Sequence, residues 1–80
     1  MATKPKSPPS WEDRARRFLK AEIARAEIGY RELAERLAKH GLHETEASIA
    51  NKISRGTFPA SFMLAVLKAI EAENLRLEGI

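Results

Sequence analysis

Apolar residues first recur at helical spacing from Trp11: Trp11, Ala15, Phe18, Leu19, Ile23 and Ala26 form one stripe. Ser10 stands just before it, placed to accept from the amide of Asp13, whose carboxylate suits the positive first turn of a helix. The pattern predicts a first helix from Trp11, with Gly29 ending it or capping the next. A second helix is predicted from Tyr30 to His40, with Leu33, Ala34, Leu37 and Ala38 inward and Arg31, Glu35 and Lys39 outward. Gly41 follows the last periodic residue, where a left-handed cap costs glycine nothing, and Leu42 can fold back onto the helix. A third helix is predicted over about Glu44 to Ser54, ended by Gly56 in the same way. Phe58-Pro59 breaks the chain, and a fourth helix opens at Ala60 or Ser61 and runs to about Glu73. It carries Phe62, Met63, Val66, Leu67 and Ile70 on one face and Leu64 off it. The last seven residues, Asn74–Ile80, alternate like a short strand. With no second strand to pair with, this tail either packs as irregular chain or pairs with another copy.

The expected fold class is therefore all-α: a compact four-helix domain over residues 10–80 with a short extended C-terminal tail. Residues 1–9 form a polar, proline-punctuated leader expected to be disordered. An 80-residue chain supports one core, and the absence of cysteine removes disulfides, thiolate metal sites and a cysteine nucleophile together. Met1–Ser10 lacks the apolar stretch of a signal peptide, and the longest apolar run, Phe62–Leu67, is far short of the roughly 20 residues of a membrane span. A soluble, cytoplasmic protein is expected. The net charge of +3 is unevenly spread: successive stretches of twenty residues carry +4, 0, 0 and −1. Beyond Lys20, a nucleic-acid surface has to come from arrangement and not from basic excess.

Arrangement points to the third helix. At about 100° per residue, Ile49, Ile53 and Ala50 share one side, and Ser48, Asn51, Lys52 and Arg55 gather within roughly 100° on the other. From Ser48 to Arg55 this outer face has no carboxylate. Such a set suits the DNA major groove, because Asn pairs both edges of adenine, Arg forks onto guanine, and Lys and Ser hold phosphate or base. The competing reading is a plain solvated helix face.

The neighbourhood bears on that choice. Ile28-Gly29-Tyr30-Arg31-Glu32-Leu33-Ala34-Glu35-Arg36-Leu37 resembles the first half of a helix-turn-helix of the phage-repressor/Cro (lambda-repressor-like) type, with Ala34 as the small residue between the paired helices. Lys52–Pro59 resembles the end of that family's recognition helix and the turn after it, and Met63–Ile70 its next, largely buried helix. The resemblance spans Trp11 to Ile70. The whole sequence also looks like members of a small bacterial family described only as a domain of unknown function. The spacing departs from the helix-turn-helix pattern: Ala34 to Ala50 leaves room for about five additional residues, Lys39 to Glu44, in a turn that is otherwise short. Glu44 and Glu46 stand where the family places base-contacting residues, and the family's fifth helix has no counterpart in Asn74–Ile80.

The resemblance implies a double-stranded-DNA-binding protein, a transcriptional regulator with the third helix in the major groove. Ser48, Asn51, Lys52 and Arg55 would face the groove, Tyr30 would start the first helix of the pair against phosphate, and Thr57 would donate to a phosphate. Arg14, Arg17 and Lys20, with Lys4 and Lys6, would add sequence-blind affinity. A homodimer on half-sites about 34 Å apart is implied, joined through Leu64 and the Leu75–Ile80 tail. The alternative is a protein–protein interaction module on the same scaffold, which the near-neutral charge of residues 21–80, the lengthened turn and Glu44/Glu46 favour.

Other chemistry is not expected. His40 and His43 with Glu44 invite a metal, but Gly41 lies between the histidines at a helix end and no third ligand is evident. The serines lack a nucleophile elbow, Asp13 is the one aspartate, and the glycines at 29, 41, 56 and 79 mark turns instead of a phosphate loop. No enzyme activity, cofactor, metal or small-molecule ligand is predicted. Trp11, Phe18, Phe58 and Phe62 are assigned to the core, since large aromatics dominate burial in small domains.

Overall fold

Four α-helices carry the computed structural model, which describes residues 9–80: α1 (Trp11–Ala26), α2 (Tyr30–Lys39), α3 (Glu46–Arg55) and α4 (Ala60–Ala69). A single 3₁₀ turn follows at Leu77–Gly79, and there is no strand among the described residues. The disorder expected of the leader falls on residues 1–8, outside the described residues.

The core is built from a repeated unit. Each of the first three helices buries two aliphatic side chains four residues apart: Leu19 and Ile23, Leu33 and Leu37, Ile49 and Ile53. Side chains at that spacing stand one above the other on a helix, so each pair is a short ridge aimed at the middle of the domain. The fourth helix closes the core with Phe62, Val66, Leu67 and Ala69. Among the described residues, no polar or charged residue is buried as a whole. Arg36 ties α2 to α4, donating to the Glu32 carboxylate at 2.8 Å and to the Ala69 carbonyl at 3.3 Å.

The helix ends follow local chemistry. Ser10 Oγ accepts from the Asp13 amide at 3.1 Å, as the sequence predicts. Gly29 caps α2, while α1 ends on Glu27 in the left-handed region at φ 60°. Gly41, at φ 87°, lets the Leu42 amide return to the Leu37 carbonyl at 3.0 Å, the predicted fold-back. The third helix starts at Glu46 and not Glu44, because Thr45 takes the cap: its Oγ1 accepts from the Ser48 amide at 3.0 Å and Ser48 Oγ accepts from the Thr45 amide at 2.9 Å. The fourth helix stops at Ala69, four residues early, because Glu71 turns left-handed at φ 62° and the Ala72 amide closes onto Leu67.

Of the two courses open to the tail, it takes the irregular one, with a 3₁₀ turn. Three expectations are corrected. Trp11 is 72% exposed: it opens α1 two turns before the first buried residue, Leu19, and lies beyond the edge of the core. Ala38 and Ala50 are exposed, each a residue-step of rotation away from its helix's buried pair. Phe62 is buried as predicted, whereas Phe18 and Phe58 only half-cover the core.

One contact fixes α3 against α1. Gly56 is buried at φ 72°, and a Cβ built there would stand 2.2 Å from the carbonyl oxygen of Glu12. The end of α3 therefore lies main chain to main chain on the first turn of α1.

Candidate nucleic-acid interface

The paired helices α2 and α3 are joined by the six residues 40–45 and packed through Leu33, Leu37, Ile49 and Ile53. With Ile49 and Ile53 facing the core, rotation at 100° per residue brings Ala47, Asn51, Ser54 and Arg55 to the opposite side. All four are exposed. The side chains of Asn51 and Arg55 make no hydrogen bond or ion pair to another described residue, and Ser54 Oγ donates within the helix to the Asn51 carbonyl at 3.2 Å. This face offers one amide and one guanidinium, separated by small residues. Glu46 flanks it.

Two members of the predicted face are engaged elsewhere. Ser48 is half-buried in the cap, and its Oγ lies 2.5 Å from Glu44 Oε1. Lys52 Nζ lies 2.5 Å from Glu44 Oε2 and 5.2 Å from the centroid of the Phe62 ring. Both oxygens of Glu44, whose side chain is only 7% exposed, are thus held by groups on α3. Burial pushes its carboxyl upward, but the hydrogen bonds from Lys52 and Ser48 and the Lys52 charge outweigh this, and its pKa lies below the ordinary glutamate value. Sequence reasoning set Glu44 at a position where the helix-turn-helix family places base-contacting residues and missed this role. The signal was the spacing Glu44, Ser48, Lys52, four residues at each step, which runs along one side of a helix and its entry.

The remaining candidates are dispersed. Thr57 is exposed just past Gly56. Tyr30 is half-buried against the rim of the core, and burial raises its phenol pKa. Arg17 and Lys20 are exposed on α1 without an ion-pair partner among the described residues. Arg14 is half-buried, its guanidinium 4.5 Å from the centroid of the Trp11 ring. Arg16 and Arg25 are paired with Asp13 and Glu22. Lys4 and Lys6 lie outside the described residues. His40 and His43 are both exposed, and no cluster of three or more His, Asp or Glu suited to a metal occurs among the described residues. A groove of about 500 Å³ between α1 and the tail is lined by Phe18, Ala72 and Asn74 and by Arg25 and Arg76, each arginine already paired with a glutamate. Among the described residues, no helix is long and apolar enough to cross a membrane.

Comparison with known families matches residues 11–75, from the first residue of α1 to the tail, to a model described as a domain of unknown function (DUF6471). No curated protein and no solved structure matches the chain.

Proposed function

The chain belongs to the DUF6471 family, a domain of unknown function, and from its own geometry we propose that it reads duplex DNA as a lambda-repressor-like helix-turn-helix. In this reading α3 enters the major groove, Asn51 takes an adenine edge, Arg55 forks onto guanine, and Ala47 meets a thymine methyl. Thr57, Arg17 and Lys20 contact phosphate, two copies bind as a symmetric dimer, and the role served is transcriptional regulation. The observation that carries the reading is the pair Asn51 and Arg55: exposed, without a side-chain partner among the described residues, and set on the helix face opposite its buried seam.

A second reading, a protein-binding module, has its own support in Trp11, Leu64 and Leu77, which are 72%, 59% and 73% exposed. Large apolar groups in water favour a protein partner.

One titration separates the two. Amide shifts are followed while short duplexes are added at two salt concentrations. The DNA reading expects movement at Asn51, Arg55 and Thr57 that shrinks as salt rises, and loss of sequence preference in Asn51→Ala and Arg55→Ala. Absence of any response to duplex overturns it and leaves the protein-binding module.

A further inference from the structure

Resting on the DNA reading above, we propose that Glu44 sets how much of the binding is sequence-blind, by occupying Ser48 and Lys52 beside the surface that meets DNA. The argument starts from proton and charge accounting. Ser48 Oγ accepts from the Thr45 amide at 2.9 Å and has a single proton to give, which the charged Glu44 oxygen at 2.5 Å takes over the Thr45 carbonyl at 3.0 Å. The hydroxyl has nothing left to offer a phosphate.

Lys52 is drawn to the same carboxylate at 2.5 Å, with its ammonium toward Phe62 of α4 and about 100° of helix rotation from Asn51. A hydroxyl and an ammonium converging on an oxyanion is also the donor set that would grip a DNA phosphate. In this protein the oxyanion is supplied from within, by the last residue of the turn before the Thr45 cap. Its side chain is 7% exposed, so water competes little for the carboxylate, and an outside anion would have to displace it to reach the two donors.

Phosphate contacts provide affinity without regard to sequence, whereas base edges provide choice. Holding Lys52 back lowers binding to every duplex and leaves selection to Asn51 and Arg55. Glu44 thus acts through Lys52 and is a specificity-determining residue that touches no base.

The test is the salt dependence of binding to a labelled random-sequence duplex, measured for the wild type, Glu44→Gln, Lys52→Ala and the double variant. Each phosphate neutralised contributes about 0.9 to the slope of log affinity against log salt. Glu44→Gln is expected to bind the random duplex several-fold more tightly and to steepen the slope by about 0.9. Lys52→Ala alone is expected to leave the slope unchanged, and the double variant to lose the gain. Two results overturn the proposal: a shallower slope in Lys52→Ala alone, which makes Lys52 a phosphate contact already, or a double variant that gains over Lys52→Ala as much as Glu44→Gln gains over the wild type, which makes the effect plain repulsion by Glu44. Circular dichroism on each variant checks the fold, and Lys52→Ala gives its answer independently of Glu44→Gln. If no variant binds duplex at any salt, or Arg55→Ala has no effect, the DNA reading itself fails and this inference falls with it.

Discussion

Two glycines with the same backbone requirement have different surroundings, and this separates strain from crowding. Gly41 and Gly56 both sit in the left-handed region, at φ 87° and 72°. A Cβ at Gly41 meets nothing within 4 Å, whereas at Gly56 it meets the Glu12 carbonyl oxygen at 2.2 Å and its carbonyl carbon at 2.8 Å. Gly41→Ala is therefore expected to cost only the backbone term, about 1 kcal/mol. Gly56→Ala must also push α1 and α3 apart and is expected to cost roughly 3 kcal/mol or more. Urea melts of the two variants beside the wild type check this; equal midpoints remove the claim of a tight contact. Both glycines were legible in the sequence as helix ends, because each follows the last residue of an apolar period. The partner of Gly56 was not, since nothing local at position 56 points to Glu12. Trp11 misled for a related reason: its place on the apolar stripe is genuine, but the stripe outruns the core by two turns.

At the scale of an element, α3 is held at its start by side chains and at its end by main chain. The Thr45–Ser48 cap and the Glu44–Lys52 pair both act on its first two turns. The Glu44 pKa is depressed in the folded chain, so the interaction stabilises fully above the unfolded value and is lost as pH falls through the folded one. Melting temperature measured down through the acid range should therefore fall for the wild type, while Glu44→Gln starts lower at neutral pH and converges on the wild type as acid is added. Parallel curves would show that the pair contributes nothing to folding. Sequence periodicity placed α3 within two residues of its observed bounds and identified Asn51 and Arg55 as outward. It took Ser48 and Lys52 as equally free, because rotation about a helix axis reports where a side chain leaves the backbone and not what a long flexible one reaches. For Lys52 the nearest strong partner came from the preceding turn.

For the whole molecule, one cluster of ten buried residues drawn from all four helices leaves no part able to stand alone. Domains of this length hold together by about 0.05–0.15 kcal/mol per residue, so a single cavity is a large fraction of the total. Ile53→Ala, at a site only 1% exposed, is expected to cost about 2–4 kcal/mol. Leu64→Ala, on the exposed side of α4, is expected to cost less than about 0.5 kcal/mol. Denaturant melts of both should be single cooperative transitions, and similar losses would mean that the buried set is misplaced. The all-α class and the four helices were readable because the chain repeats the same four-residue apolar spacing three times before α4. The tail was readable only as a choice between irregular chain and pairing with another copy, since alternation describes a strand only where another strand is present to receive it.

The main-chain seat of Gly56 on Glu12 has a consequence for how such a domain can diversify. The pose of α3 is set by backbone atoms that every sequence shares, together with a buried seam on its opposite side. Residues 47, 51, 54 and 55 take no part in either, so they form an exchangeable outer face: a lineage or a designer can rewrite those four positions and inherit the pose of the helix unchanged, provided position 56 remains glycine.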